Sequence, residues 1–190
     1  DVHGFRVSNK VCLMPTIFTR GAMSARGFGL FGGLALGQRA IFGYGNTGSV
    51  SSLTNLVSST GVVATDTAGV GTARDALAAA GYGTDKAIFG YGTNTGGSAG
   101  TVSMTNLVSN LGVVATDTTG VGTARLYLSA AKYGTDKALF GYGWNNVTNY
   151  SMTNLVSNTG VVSTDTTGVG TARYGLAAAG YGTDNAIFGY

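Results

Sequence analysis

Eight carboxylates, every one an aspartate, are joined by His3 and Cys12 as the residues from which this chain could build acid–base, nucleophilic or metal chemistry. Their placement argues against all three. Nucleophilic catalysis needs a Ser or Cys beside a base, and the single histidine stands at an N-terminal position expected to be loosely held. Paired-carboxylate hydrolysis would have to draw on Asp residues that recur in every repeat. One His and one Cys do not assemble a zinc site of the usual kind. Asp66, Asp117 and Asp165 each lie in Thr-Asp-Thr, which offers too few oxygen ligands for a calcium loop; an Asp there is expected to accept backbone N–H groups of a turn. Gly69-Val70-Gly71 is followed by neither Lys-Ser nor Lys-Thr, so its glycines are turn residues and not a phosphate cradle. The expectation is a protein with no catalytic residues, no metal and no cofactor.

Two groups of residues remain. Trp144, the sole tryptophan, stands beside Asn145, Asn146 and Tyr150, a set whose ring could stack on a sugar and whose amides could bond its hydroxyls. These four are the candidate ligand-binding residues; the plainer reading makes Trp144 a partly buried loop anchor. Asn146-Val147-Thr148 and Asn149-Tyr150-Ser151 also match glycosylation acceptors, a feature relevant to a secreted eukaryotic protein. Arg74, Arg125 and Arg173 recur beside a turn. They are expected to be structural, either pairing with the recurring Asp85, Asp136 and Asp184 or capping carbonyls between repeats.

The elements that position these residues follow from a period. Ala-Ile-Phe-Gly-Tyr, or its Leu variant, places Ile41, Ile88, Leu139 and Ile187 at intervals of 47, 51 and 48, and Arg26, Arg74, Arg125 and Arg173 at 48, 51 and 48. Thr-Asn-Leu-Val begins at Thr54, Thr105 and Thr153 with the same rhythm. The extra length lies between Tyr91 and Met104, where Thr93 to Gly100 is small and polar, as an exposed loop should be. Each unit reads as four strands: a (as in Leu176 to Tyr181), b (Lys86 to Tyr91), c (Ser151 to Ser157) and d (Val113 to Thr118). Tyr-Gly-Thr-Asp-Lys joins a to b as a tight hairpin turn. A helix over Thr171 to Ala179 is excluded by flanking glycines and short length. Met152, Asn154 and Val156 of strand c should share one face.

Composition bounds the class. A chain of 190 residues with 44% hydrophobic content suits one globular domain, here 1–190, while 10% charged residues is well below the usual quarter or so, leaving Ser, Thr, Asn and Gly to cover the surface. A net charge of +3 from scattered residues offers no track for a phosphate backbone, so nucleic acid is not an expected partner. No apolar run is long enough for a transmembrane helix or a signal segment, and the opening Asp1 fits a processed or truncated product.

Four strands in roughly 48 residues is the size of a propeller blade, whose two apolar faces must be hidden by stacking around an axis. The unit resembles the kelch repeat of the galactose oxidase central domain: Ala172 to Tyr181 and Ala87 to Gly92 take the places of its Arg-led first strand and glycine-doublet second strand. Gly90-Tyr91-Gly92 interrupts the doublet, and the late Trp of many kelch units is missing. The regulator-of-chromosome-condensation repeat, a protein-interaction propeller, is a second possible relative. The resemblance implies an all-β propeller of repeats 23–70, 71–121, 122–169 and 170–190. The last would be completed by residues 1–22, where Arg6-Val7-Ser8-Asn9 looks like a worn copy of Leu155 to Asn158. Four blades are favoured, with a fragment of a six- or seven-bladed ring as the alternative. One histidine is too few for galactose oxidase's copper chemistry, and the sialidase propeller motif is missing. The repeats also resemble those of uncharacterised propeller proteins of bacteriophages from aquatic hosts. This implies a virion or tail-associated, extracellular structural part of a larger assembly, meeting proteins or surface glycans; a multivalent lectin is the other reading.

Overall fold

Short runs of β-branched and aromatic residues alternate with Gly-rich turns, and such runs pair locally before they meet anything distant. In the computed structural model, which describes residues 40–190, they form ten antiparallel strands. These are β1 (Ala40–Asn46), β2 (Val50–Val57), β3 (Ala78–Tyr82), β4 (Lys86–Gly90), β5 (Thr105–Val108), β6 (Ser129–Tyr133), β7 (Lys137–Trp144), β8 (Asn149–Val156), β9 (Ala177–Tyr181) and β10 (Asn185–Gly189). The helical content of the described residues is one 3-10 turn, Ser98–Gly100, in the long loop of the second unit. The described residues are all-β, and Ala177–Tyr181 forms strand β9, not a helix.

Strand a of the repeat is β3, β6 and β9, strand b is β1, β4, β7 and β10, and strand c is β2, β5 and β8. They make three-stranded sheets β3-β4-β5 and β6-β7-β8, with the two-stranded β1-β2 and β9-β10. Registers repeat between units: Phe89 faces Asn106 across β4 and β5, as Phe140 faces Asn154 across β7 and β8. The expected a-strand of the first unit and the completion of the last by residues 1–22, with the ring closure and blade count that depend on it, lie outside the described residues.

Strand d departs from expectation. Val113 to Thr118 does not form a full strand; it touches strand c at two isolated bridges, Val108 with Val114 and Thr105 with Thr118. Three steps along c match four along d, and the same count recurs at Val57–Val63 with Thr54–Thr67 and at Val156–Val162 with Thr153–Thr166. The extra residue makes a bulge. A side chain fills the broken ladder: the Asn106 amide donates to the carbonyl of Ala115 (3.0 Å) and to Asp117 (2.9 Å), and Asn154 does the same with Ser163 and Asp165.

The core lies between units. One cluster joins Ile88, Tyr91, Ala78 and Tyr82 of the second unit to Ala138, Phe140 and Val156 of the third; another joins Ile41 and Tyr44 of the first to Phe89, Val108 and Val114 of the second. In each unit, one face of strand b looks forward and the other back. Phe89 lies over Gly43, Phe140 over Gly90 and Phe188 over Gly141, where an added Cβ would sit 3.0, 2.7 and 2.8 Å from the ring. Turns stack too, since the Gly83 amide donates to the Asp136 carbonyl (2.7 Å) and that of Gly134 to Asp184 (3.1 Å).

Gly90→Ala should therefore force the Phe140 ring out of its seat and lower stability by about 1–3 kcal/mol, the usual range for overpacking. Gly189→Ala, whose Cβ would meet nothing within 4 Å among the described residues, should leave the urea midpoint unchanged. Equilibrium urea unfolding of the two variants checks the pair.

The arginine joints and an aromatic stack as candidate sites

Tyr44, Tyr91 and Tyr142 have φ of 65°, 66° and 64°, a left-handed conformation that costs a non-glycine residue of order 1 kcal/mol. They interrupt the glycine doublet because they are bulge residues: the ladder shifts register between Gly43 and Gly45 and between Gly141 and Gly143. The bulge turns the ring out of the sheet and under the linker arginine. Arg74 lies 4.4 Å over Tyr44, Arg125 4.4 Å over Tyr91 and Arg173 4.5 Å over Tyr142. Each tyrosine hydroxyl then donates to the linker, at Val70, Val121 and Val169. The next unit's phenylalanine closes against the tyrosine edge, Phe89 on Tyr44 at 5.2 Å and Phe140 on Tyr91 at 5.1 Å.

Arg74 and Arg125 are fully buried. A guanidinium removed from water must have its donors met within the protein. Arg125 donates to Asn154 (2.7 Å), to the Thr123 carbonyl (3.0 Å) and to the Tyr142 carbonyl (2.7 Å). Arg74 donates to Asn106 and to the Thr72 carbonyl, but its Nε, unlike that of Arg125, is buried without a hydrogen-bond partner. The arginines do cap carbonyls, but those of their own repeats and not of a neighbour, and the expected carboxylate is not the one that meets the guanidinium. Arg74 faces Asp117 at 3.6 Å and Arg125 faces Asp165 at 4.0 Å, each from the far end of the arginine's own repeat. Asp85 instead accepts from Asn110, Asp136 from Asn158 and Lys137, and Asp184 from Thr183. The correction has a physical cause: those three sit at the exposed a–b turns, whereas the d bulge carries Asp117 and Asp165 to the joint.

Asp117 does accept backbone N–H, yet from Thr72 in the linker that opens its own repeat, 45 residues away, along with its hydroxyl at 2.7 Å. Asp165 holds Thr123 likewise. Gly71 and Gly122 make room: a Cβ there would lie 2.3 Å from the respective aspartate oxygen. Burial works to raise both carboxyls, but the hydrogen bonds from Thr72 and Asn106, or Thr123 and Asn154, with the nearby guanidinium, outweigh it and hold them below the ordinary value. Burial of Tyr91 pushes its hydroxyl up to about 12 against the opposing charge of Arg125, so the ring under the guanidinium stays neutral.

The four candidate ligand residues are brought together only in part. Trp144 ends β7, pairs with Asn149 and bridges to Leu126, so it belongs to a strand and not to the loop. Asn145 is committed locally: its amide donates to the Tyr150 hydroxyl (2.7 Å) and its oxygen accepts the backbone N–H of Val147 and Thr148. Asn146 occupies the turn with φ 84°. Tyr150 borders a groove of about 360 Å³ that also includes Met152, Asp165 and Thr166. The partners that the sequence reading missed are Tyr174 and Tyr127, both half exposed. Trp144 stacks on Tyr174 at 5.4 Å and 21°, and Tyr127 lies 6.1 Å from Tyr174 on a neighbouring unit. Tyr127 and Tyr174 break the repeat, standing where other units carry Ala76 and Asp75; that departure was the available signal.

Among the described residues no three His, Cys, Asp or Glu gather to hold a metal ion, and no helix is long and apolar enough to cross a membrane. No protein-family model matches the chain, and no curated protein does. The described part is that of an all-β tandem-repeat protein whose units are clasped by buried arginines.

Arg125→Leu should leave Asn154 and Asp165 without their cation and destabilise by about 3 kcal/mol or more, as expected when one partner of a buried set is removed; thermal and urea unfolding measure it. Because Asp117 and Asp165 titrate lower folded than unfolded, their stabilisation is complete above the unfolded value of about 4 and fades as pH falls through the folded values. Urea midpoints should be flat between neutrality and pH 5 and drop below pH 4, and the drop should be shallower in Asp117→Asn with Asp165→Asn.

Proposed function

We propose that this chain is a non-enzymatic repeat scaffold, arranged as a kelch-like propeller, that presents its outer loops to proteins or surface glycans. On this reading it is a structural part of an extracellular assembly such as a virion or its tail. The observation that supports it most directly is where the recurring charged residues go. Arg74 and Arg125, with Asp117 and Asp165 and the recurring asparagine and tyrosine, are engaged with one another inside the joints. Chemistry repeated with the fold serves the fold. What varies between units is the loop after strand b, Thr93 to Gly100 in one and Asn145 to Thr148 in another, and variable loops on a fixed frame are where binding specificity is placed.

A lectin is the second reading, favoured by the stack of the partly buried Trp144 on the half-exposed Tyr174 with Tyr127 beside it, since aromatic rings present the apolar face that a sugar's C–H groups cover. On the scaffold reading, replacing the exposed loop Asn94 to Gly97 with the shorter turn of the other units should leave the melting temperature within a few degrees and no glycan should bind. Glycan-array binding that is lost in both Trp144→Ala and Tyr174→Ala would displace it in favour of the lectin. A ring of blades in a particle image supports the propeller arrangement, and units strung along a line would overturn it.

A further inference from the structure

The three joints between the described units repeat the same contacts. Arg74 lies on Tyr44, Arg125 on Tyr91 and Arg173 on Tyr142, at 4.4, 4.4 and 4.5 Å. Phe89, Phe140 and Phe188 seat on Gly43, Gly90 and Gly141. A backbone bond recurs as well: Gly45, Gly92 and Gly143 donate to the carbonyls of Arg74, Arg125 and Arg173 at 2.9, 3.0 and 3.0 Å. The joints differ at the two residues that follow this bond in the sequence. Asn46 and Asp75 stand there in the first joint, Thr93 and Leu126 in the second, and Trp144 and Tyr174 in the third. Backbone bridges between Asp75 and Thr93 and between Leu126 and Trp144 link the three pairs into one row across the units.

Each pair has its own chemistry. The Asn46 amide donates to Oδ2 of Asp75 at 2.7 Å, and Oδ1 of that carboxylate is buried with no hydrogen-bond partner. Thr93 and Leu126 are both buried, and the threonine hydroxyl donates to the Gly97 carbonyl of its own loop. Trp144 and Tyr174 stack at 5.4 Å and 21°. These pairs do not interchange. A ring or a leucine against Asp75 removes the amide that its carboxylate relies on, and a carboxylate against Trp144 leaves water with no donor to receive it. Nearly identical units carry a risk of docking out of order, because the arginine, phenylalanine and glycine contacts would form equally well between the first unit and the third or fourth. We propose that this row tells the units apart: the residue closing strand b and the residue after the next linker arginine form a pair specific to one joint, so that each unit accepts its own successor and disfavours the others. The inference concerns how the units find their order and stands whether or not the outer loops bind proteins or glycans.

The test moves the first joint's pair into the third, in the 190-residue chain under reducing conditions. Trp144→Asn and Tyr174→Asp each mismatch the joint and should raise the urea unfolding constant about tenfold. Together they restore a matched pair, so the loss in the double variant should fall short of the product of the two single losses by about fivefold or more. The double variant also carries the same pair in its first and third joints. Diluted from urea, it should return less native protein than the parent and a larger share of misdocked or associated chains, read by size-exclusion chromatography. Trp144→Phe with Tyr174→Phe keeps an aromatic pair in the third joint alone and should refold with the parent's yield. Single losses that multiply without coupling would overturn the inference. So would a Trp144→Asn, Tyr174→Asp chain that refolds as well as the parent, or an aromatic control that loses yield to the same extent.

Discussion

The arrangement turns on the problem of a guanidinium placed in a dry interface. Arg74 and Arg125 leave water entirely, and an unpaired cation there would cost several kcal/mol. The joint answers with a tyrosine face below, an asparagine oxygen at one end, backbone carbonyls at the sides and an aspartate nearby. The arginine, the asparagine and the aspartate come from one repeat; the tyrosine ring beneath the guanidinium comes from the repeat before it. Each repeat meets its own arginine's polar partners, and the ring ties that arginine to its neighbour. Apolar burial supplies the attraction between units, and the arginine set decides the register at which they meet.

Several local oddities then have one cause. The left-handed tyrosine, the interrupted glycine doublet, the d segment with one residue too many and the asparagine side chain in place of a ladder bond all serve to bring four groups to one point. Strain is tolerated at the tyrosine because the ring is held on both faces and by its hydroxyl. The Phe-Gly pairing complements it, since a glycine is the one residue that leaves a flat seat for the neighbouring ring.

This division leaves function to the places where the units differ. Conserving nothing from the joint, the Trp144 region has an aromatic stack that the first described unit does not share and a tight turn held by Asn145. Its rings are drawn from three successive segments, Tyr127, Trp144 and Tyr174, so the stack exists only once adjacent units have docked. Binding at that stack would thus depend on the same joints that determine stability.

Much was legible from the residues alone. The period, the a–b hairpins, the c strands and the burial of Asn154 and Val156 on one face follow from spacing and alternation, which are local properties of the chain. The repeat of Arg, Asn and Asp was visible as well, but which carboxylate meets which guanidinium was not. Asp85, eleven residues beyond Arg74, is the nearer in sequence, whereas Asp117, 43 residues beyond it, is the nearer in space, because the bulge of segment d returns the end of the repeat to its beginning. Sequence therefore determined the elements and their recurrence, through propensity and period. Tertiary structure alone decided the partnerships, since they join the two ends of a repeat and set its arginine on the ring of the one before.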